Sequence, residues 1–413
     1  MEAITAVRGT NDLVYAQAAR MLALENTLRG IAHKYGYEEI RTPVFEHTEL
    51  FTRGIGEDTD IVSKEMFTFQ DRGERSLTLR PEGTASMVRA FVEHHLFAER
   101  GINKIFYTGA MYRAERPQKG RYREFHQFGV EVIGSPSPLV DAEIILFNLD
   151  VFKTLGLSGL TLTINSVGCP KCNPAYLAAL RETFKNDLPS LCETCRTRYD
   201  KNVLRMLDCK VESCQPILAK APAFSDHLCD ECKPHFETVK QELANAGIQF
   251  TVNPRLVRGL DYYTKTAFEI SANMLGAQNA VCGGGRYDNL IGVFNNGKSF
   301  PAMGSAFGLE RILLALGDAE TKNTIDVFVV AFKETADKLM PTLSMLRAAG
   351  RSANADYNVS SIKSQLKTAD KLGAKYTLIL GPEEAAAGEC MLRNMTDKTE
   401  KRVKIADAAG MIV

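Results

Sequence analysis

Tyr112-Arg-Ala-Glu-Arg-Pro-Gln-Lys-Gly-Arg-Tyr-Arg-Glu-Phe-His-Gln-Phe-Gly-Val-Glu-Val-Ile133 is the stretch on which the fold turns. From Arg113 to Arg123, five basic residues face a single acid, and Pro117 and Gly120 break regular structure, so a basic, turn-containing loop is predicted. Beyond Glu124 the chain becomes strand-like, and alternation puts Gln127, Gly129 and Glu131 on one face. Inward polar groups on a strand need partners, and a ligand below the loop is one candidate. A solvated surface loop is the other reading of an isolated charge run.

Working outward, Lys104–Tyr107 and Leu77–Leu79 read as further short strands. Met21, Leu24, Leu28, Ile31 and Tyr35 recur at three- and four-residue steps, the stripe of an amphipathic helix that Gly36 ends. An extended segment, Tyr37–Phe45, follows, with Pro43 suited to a strand edge or end. Strand-like chain returns at Ile248–Val252 and Ala267–Ile270, and a helix is predicted near Phe307–Leu316. From Asn323 onward, strands at Asp326–Phe332 and Tyr376–Leu380 alternate with helices at Glu334–Ala349 and Ile362–Leu372, which predicts a small α/β domain.

With 413 residues, the chain exceeds a single core and predicts two to three domains. Its 45% hydrophobic and 24% charged content is that of an ordinary globular protein. The formal net charge of zero gives no general attraction to nucleic acid, so any such contact must be local. Residues 1–15 carry no apolar signal core, and there is no apolar run of about 18 residues. A cytoplasmic protein without membrane contact is expected.

Three further segments carry chemistry: Arg258-Gly-Leu-Asp-Tyr-Tyr263, Gly283-Gly-Gly-Arg-Tyr-Asp288 and Gly304-Ser-Ala-Phe-Gly-Leu-Glu-Arg311. The glycine runs fit neither a Walker loop nor a dinucleotide fingerprint, yet would let a ligand approach the backbone. In this order, the segments resemble the histidyl-tRNA synthetase family over essentially the whole chain. Helix, strand and Pro43 are similar to the first class II motif, Tyr112–Ile133 to the second, and Gly304–Arg311 to the third. Leu256–Tyr263 and Gly284–Asp288 resemble the two histidine-specific signatures, Arg80–Thr84 the amino-acid-binding turn, and Arg8-Gly-Thr10 is also typical.

The resemblance implies an α+β protein: a class II synthetase antiparallel sheet with flanking helices, a cysteine-rich insertion domain, and a C-terminal α/β anticodon-binding domain. The expected divisions are a catalytic domain in two parts, 1–167 and 248–320, the insertion at 168–247, and the anticodon-binding domain at 325–413. The implied activity is ATP-dependent formation of histidyl-adenylate and transfer of histidine to tRNA(His), by a homodimer. Because that attack brings anions together, positive charge must meet them, and arginine suits phosphate geometry. The resemblance assigns Arg113 and Arg258 to the α-phosphate as catalytic groups, Arg311 to the γ-phosphate and Glu115 to the adenine, with Mg2+ on the β- and γ-phosphates.

Histidine would be held by Glu82, Gly83, Thr84, Arg113, Gln127, Glu131, Arg258, Tyr262 and Tyr263. Glu131 and a tyrosine hydroxyl, preferably that of Tyr263, would meet the ring nitrogens. Arg116, Lys119, Arg121 and Arg123 would contact the tRNA acceptor end.

Eight of the ten cysteines lie in the insertion. Cys169/Cys172, Cys192/Cys195 and Cys229/Cys232 are CxxC pairs, and Cys209 with Cys214 forms a wider one. Two pairs suffice for a tetrahedral structural Zn2+ site and four could make two; reduced thiols stabilising a small core give the same spacing. The rival to the ligase reading is a noncatalytic regulatory paralogue of ATP phosphoribosyltransferase. The complete Arg258–Tyr263 segment, the intact basic loop and the C-terminal domain argue against it.

Overall fold

A computed structural model describes residues 3–57, 59–272, 279–317 and 324–412. The expected junction between the second catalytic part and the C-terminal domain falls partly on 318–323, outside the described residues. The chain divides into two compact units, one of Met1–Asp12 with Met21–Asp318, the other of Leu13–Arg20 with Ala319–Val413.

In the larger unit, β1 (Glu38–Glu39) is followed by a three-stranded antiparallel sheet of β2 (Phe45–His47), β3 (Phe67–Gln70) and β4 (Ser76–Leu79). Next come β5 (Asn103–Tyr112), β6 (Glu124–Ile133), β7 (Leu160–Ser166), β8 (Thr251–Val252), β9 (Thr264–Ala272), β10 (Ala280–Arg286) and β11 (Ala302–Gly308). Among the described residues, these join β1 in one sheet of order β1-β5-β6-β11-β10-β9-β7-β8. The six central strands are antiparallel as expected. Both edges differ: β1 and β8 pair parallel, each through two residues only. At the β8 edge the crossover from β7 includes helix Cys232–Asn245, which returns the chain to the same end of the sheet.

The predicted stripe Met21, Leu24, Leu28 and Ile31 is buried against Phe106, Phe128, Val130 and Val132 of the sheet. Each such side chain contributes roughly 1.5–3 kcal/mol relative to exposure. Two boundaries are corrected. Phe307 and Gly308 complete β11 and the helix runs Leu309–Leu316, because Phe307 is drawn into the ladder opposite Phe128 and Cys282. The strand expected at Ile248–Val252 reduces to β8, since Ile248 closes the preceding helix through a bond to Leu243 O.

A buried ion cluster fixes the end of β10. Arg286, fully buried, donates to Asp141, to the carbonyls of Ser135 and Ser137, and to Asp288, while His235 meets Asp141 at 2.7 Å. Burial alone would raise the Asp141 pKa, but His235 and Arg286 overcome it and the net shift is downward. The cluster ties β10 to helices Pro138–Thr154 and Cys232–Asn245.

In the smaller unit, β12 (Val327–Ala331), β13 (Ala353–Ala355), β14 (Tyr376–Leu380), β15 (Glu389–Asn394) and β16 (Glu400–Lys404) form a mixed sheet of order β13-β12-β14-β15-β16. Helices Ala336–Ala348 and Ile362–Lys371 bury Leu339, Leu343 and Leu346, and Ala369, respectively, as the alternating pattern predicts. No helix among the described residues is long and apolar enough to cross a membrane.

Candidate active site and cysteine centres

The sheet of the larger unit carries a cleft of about 1020 Å3. That volume includes open solvent at the cleft mouth. Ten of the residues expected to bind histidine or ATP line it: Glu82, Thr84, Arg113, Glu115, Gln127, Glu131, Arg258, Tyr262, Tyr263 and Arg311. Arg121, expected at the tRNA end, also lines it. Gly83, Arg116, Lys119 and Arg123 are not among the lining residues.

The floor is built from β5, β6, β11 and β10. Alternation on β6 brings Gln127 and Glu131 to the same side, as predicted. Glu131 stands opposite Gly304, which has no side chain to exclude it: a Cβ there would lie 1.5 Å from Oε2. The Glu131 carboxyl accepts from Thr84 Oγ1 at 2.8 Å and from the Tyr287 hydroxyl at 2.6 Å. Burial, opposed by those two bonds, pushes its pKa up to about 8. Glu82 accepts from the backbone N–H groups of Thr84 and Ala85, both at 2.8 Å, and so caps helix Thr84–Glu93 while facing the cleft. Gln127 Oε1 is buried without a hydrogen-bond partner, on a side chain that lines the cleft.

Three arginines that line the cleft are held in place by backbone carbonyls or a carboxylate. Arg113 donates from Nε to Pro81 O at 2.9 Å and lies over the Phe125 ring, 5.1 Å from its centroid. Arg311 donates to Gly120 O at 3.0 Å and to Ala280 O at 2.9 Å, which joins the basic loop to β10. Burial, with the charge of Arg121, lowers the Arg311 pKa, though guanidinium stays protonated. Arg258, in the irregular segment before β9, donates to Glu269 at 2.8 Å, and its Nε is buried without a partner. It passes over Gly283, where a Cβ would meet its guanidinium at 2.2 Å. Burial pulls the Arg258 pKa down, but Tyr263 and Glu269 outweigh it and the net shift is upward.

Glu115 pairs with Arg121 at 3.0 Å. The basic loop is anchored from below, where Arg123 N donates to Gly9 O at 2.7 Å and Gly9 packs on Pro117 and Arg123. This gives the Arg8-Gly-Thr10 turn its place beside the site.

Sequence reasoning missed Tyr107 and Tyr287, two buried phenols on the floor beside Glu131. Tyr287 sits within a quoted motif without an assigned role, and Tyr107 lies opposite Gly129 on β5. The tyrosine bonded to Glu131 is Tyr287, whereas the Tyr263 ring lies tilted against that of Tyr262, 4.7 Å between centroids, and near Arg258.

The cysteines sort by space into two quartets, Cys169, Cys172, Cys229 and Cys232, and Cys192, Cys195, Cys209 and Cys214. Within each, all sulfurs lie within 4.8 Å of one another, and none is in a disulfide. The sulfurs are 3.7 Å apart in Cys169–Cys172, 3.8 Å in Cys169–Cys229 and 3.9 Å in Cys192–Cys209. A tetrahedron with Zn–S of about 2.3 Å has S···S edges of about 3.8 Å, so both quartets fit zinc. Backbone N–H groups point at the sulfurs, from Cys229 to Cys172, Cys192 to Cys214, Cys195 to Cys192 and Val211 to Cys209. Mg2+ is different: the cleft carboxylates Glu82, Glu115, Glu131 and Glu310 are already engaged by the Thr84 and Ala85 N–H groups, Arg121, Tyr287 and the His126 N–H, respectively. That fits a magnesium ion carried by phosphates and water.

The family pattern described as Histidyl-tRNA synthetase matches residues 9–312, and the one described as Anticodon binding domain matches 326–413. The histidine–tRNA ligase of Halothermothrix orenii is 48% identical over 409 residues, 98% of this chain and 97% of that protein. That of Pelotomaculum thermopropionicum is 49% identical over 406 residues, 97% and 95% of the two chains. The crystal structure of the apo histidyl-tRNA synthetase of S. aureus matches with a TM-score of 0.83 at 36% identity, covering 99% of this chain and all of that one.

Proposed function

The chain belongs to the histidyl-tRNA synthetase family, and from that premise we propose that it activates L-histidine with ATP and transfers it to the 3' end of tRNA(His). The observation that carries the reading is the set of three arginines, Arg113, Arg258 and Arg311, converging on a cleft whose floor holds a protonatable carboxyl among tyrosines.

In the first step, a carboxylate oxygen of histidine attacks the α-phosphorus, and pyrophosphate leaves. Arg113 and Arg258 flank the developing charge, and Arg311 holds the γ-phosphate. Glu115 meets the adenine amino group. Mg2+, when bound, neutralises β- and γ-phosphate charge. Glu131 and Tyr263 pair with the imidazole nitrogens, with Tyr287 and Thr84 orienting Glu131. Glu82, Thr84 and Gln127 hold the amino-acid end, with Gly83 giving the close turn between them.

In the second step, a terminal ribose hydroxyl of tRNA attacks the histidyl carbonyl, and AMP leaves. The loop cations Arg116, Lys119, Arg121 and Arg123 steer the acceptor end, and the 325–413 domain takes the anticodon. Its 13 Lys and Arg against 11 Asp and Glu make it nearly neutral, so recognition there relies on shape and local groups more than on bulk charge. A cytoplasmic homodimer, paired through the Tyr37–Phe45 region, and structural Zn2+ in the insertion complete the reading.

With ATP, Mg2+, L-histidine and a tRNA(His) transcript, purified protein is expected to form histidyl-tRNA. Protein that binds histidine yet charges no tRNA would fit the regulatory paralogue of ATP phosphoribosyltransferase instead.

A further inference from the structure

The quartet Cys192, Cys195, Cys209 and Cys214 differs from its neighbour in what surrounds it. Cys169/Cys172 and Cys229/Cys232 come from the two ends of the insertion and close its neck. The other four come from its middle, and the chain they organise grips the Arg255–Asp261 segment at two points. Arg205, in the 3-10 turn Val203–Asp208 just before Cys209, is buried and donates Nε and Nη2 to Asp261 Oδ1 at 2.9 and 2.7 Å. Gln215, immediately after Cys214, donates to Cys209 O at 2.6 Å and accepts from Arg255 at 3.4 Å. Val257 packs against the insertion's apolar core, to which cysteines of both quartets belong. These grips fall on both sides of Arg258.

The far side of the segment is confined as well. Asp261 N donates to Ile55 O at 3.1 Å, and a Cβ on Gly56 would lie 2.8 Å from Asp261 Oδ2. The Asp261 carboxylate is therefore wedged between Gly56 and Arg205. Arg198 extends the brace, donating to Arg205 O at 3.0 Å and to Asp60 at 2.9 Å.

Short 3-10 turns such as Val203–Asp208 and Glu212–Cys214 have poor hydrogen-bond geometry and little intrinsic stability. Four sulfurs drawn to one ion supply the order that local bonding lacks, since metal binding and folding share one free energy.

We propose that Cys192, Cys195, Cys209 and Cys214 form a zinc centre that positions the Arg258-bearing segment through Arg205–Asp261 and Gln215–Arg255. The four sulfurs leave no open coordination position, so the ion is structural and its effect on adenylation passes through loop order. Asp261 and Arg205 are positioning residues. The role given to Arg258 rests on the ligase reading above, but the brace itself does not.

The test uses the full chain prepared without chelator. Elemental analysis is expected to give two zinc ions per chain, and one in the Cys209→Ser/Cys214→Ser variant. Hydrogen exchange of peptides covering 255–263 should be at least tenfold faster in that variant, and its histidine KM should rise at least tenfold. Arg205→Ala should keep both zinc ions and show the same faster exchange, which isolates the tie from the metal and decides the matter if the cysteine variant fails to fold. Fewer than two zinc ions in the wild type, or faster exchange in neither variant, overturns the proposal. A wild type with two zinc ions and the expected exchange changes, yet without histidine-dependent activity, would refute the ligase reading and leave the brace standing.

Discussion

The hydroxyl of Tyr287 and the carboxyl of Glu131, 156 residues apart in the chain, meet at 2.6 Å on the floor of the cleft. The meeting depends on register: Glu131 pairs with Gly304, and Gly304 pairs with Gly285, two residues before Tyr287. A hydrogen bond to an ionisable group is worth about 1.5–3 kcal/mol. Tyr287→Phe should accordingly raise the histidine KM roughly tenfold or more, with the ATP KM nearly unchanged. Equal increases in both would place Tyr287 outside histidine recognition.

The buried Glu131 carboxyl gives the empty protein a specific pH response. Its folded pKa of about 8 lies above the ordinary value of 4.5, so between these limits the folded state holds a proton that the unfolded state releases. This contribution is fully present below about 4.5 and is lost as pH rises toward 8, by at most about 1.4 kcal/mol per pH unit. Glu131→Gln should remove it, so the variant's stability relative to wild type should improve from pH 5.5 to pH 8. Urea melts with parallel pH profiles for the two proteins would contradict the assignment.

Gly304 is required by the same contact. Gly304→Ala puts a methyl group 1.5 Å from the Glu131 oxygen and must push the carboxyl aside. Misplacement by about 1 Å can reduce rate on the order of a hundredfold, which is the loss expected in histidine kcat/KM. Overpacking should lower stability by about 1–3 kcal/mol. Near-normal kinetics would show that Glu131 need not stand where it does.

Arg286 acts at a distance from substrate. Arg286→Met leaves Asp141 buried with the His235 ring as a remaining hydrogen-bond partner. Breaking one side of a buried pair costs about 3–5 kcal/mol, and the unfolding midpoint in urea should fall accordingly. A change below about 1 kcal/mol would mean that the cluster carries little of the stability.

Much of this is legible in the sequence alone. The period of two in Gln127-Phe-Gly-Val-Glu131 put two polar groups on one face, and the breakers Pro117 and Gly120 marked the loop that overhangs them. The helix stripe from Met21 read correctly because burial follows a 3.6-residue period. What stayed hidden depends on pairings distant in sequence. Tyr107 and Tyr287 look like ordinary core phenols until the order β5-β6-β11-β10 brings them beside Glu131. The division of the cysteines was equally invisible, because Cys169/Cys172 skips two intervening pairs to join Cys229/Cys232. The sequence alone places Phe307 in a helix because its apolar neighbours suit either element, and pairing with β6 and β10 makes it strand.

The central claim, that the three arginines and the Glu131 floor form a histidine-activating site, is tested most directly by exchange of labelled pyrophosphate into ATP. Wild-type protein should exchange only when L-histidine is present, and Arg258→Ala should lose nearly all exchange while unfolding at a similar temperature. Histidine-independent exchange, no exchange in folded wild type, or near-normal exchange in Arg258→Ala would contradict it.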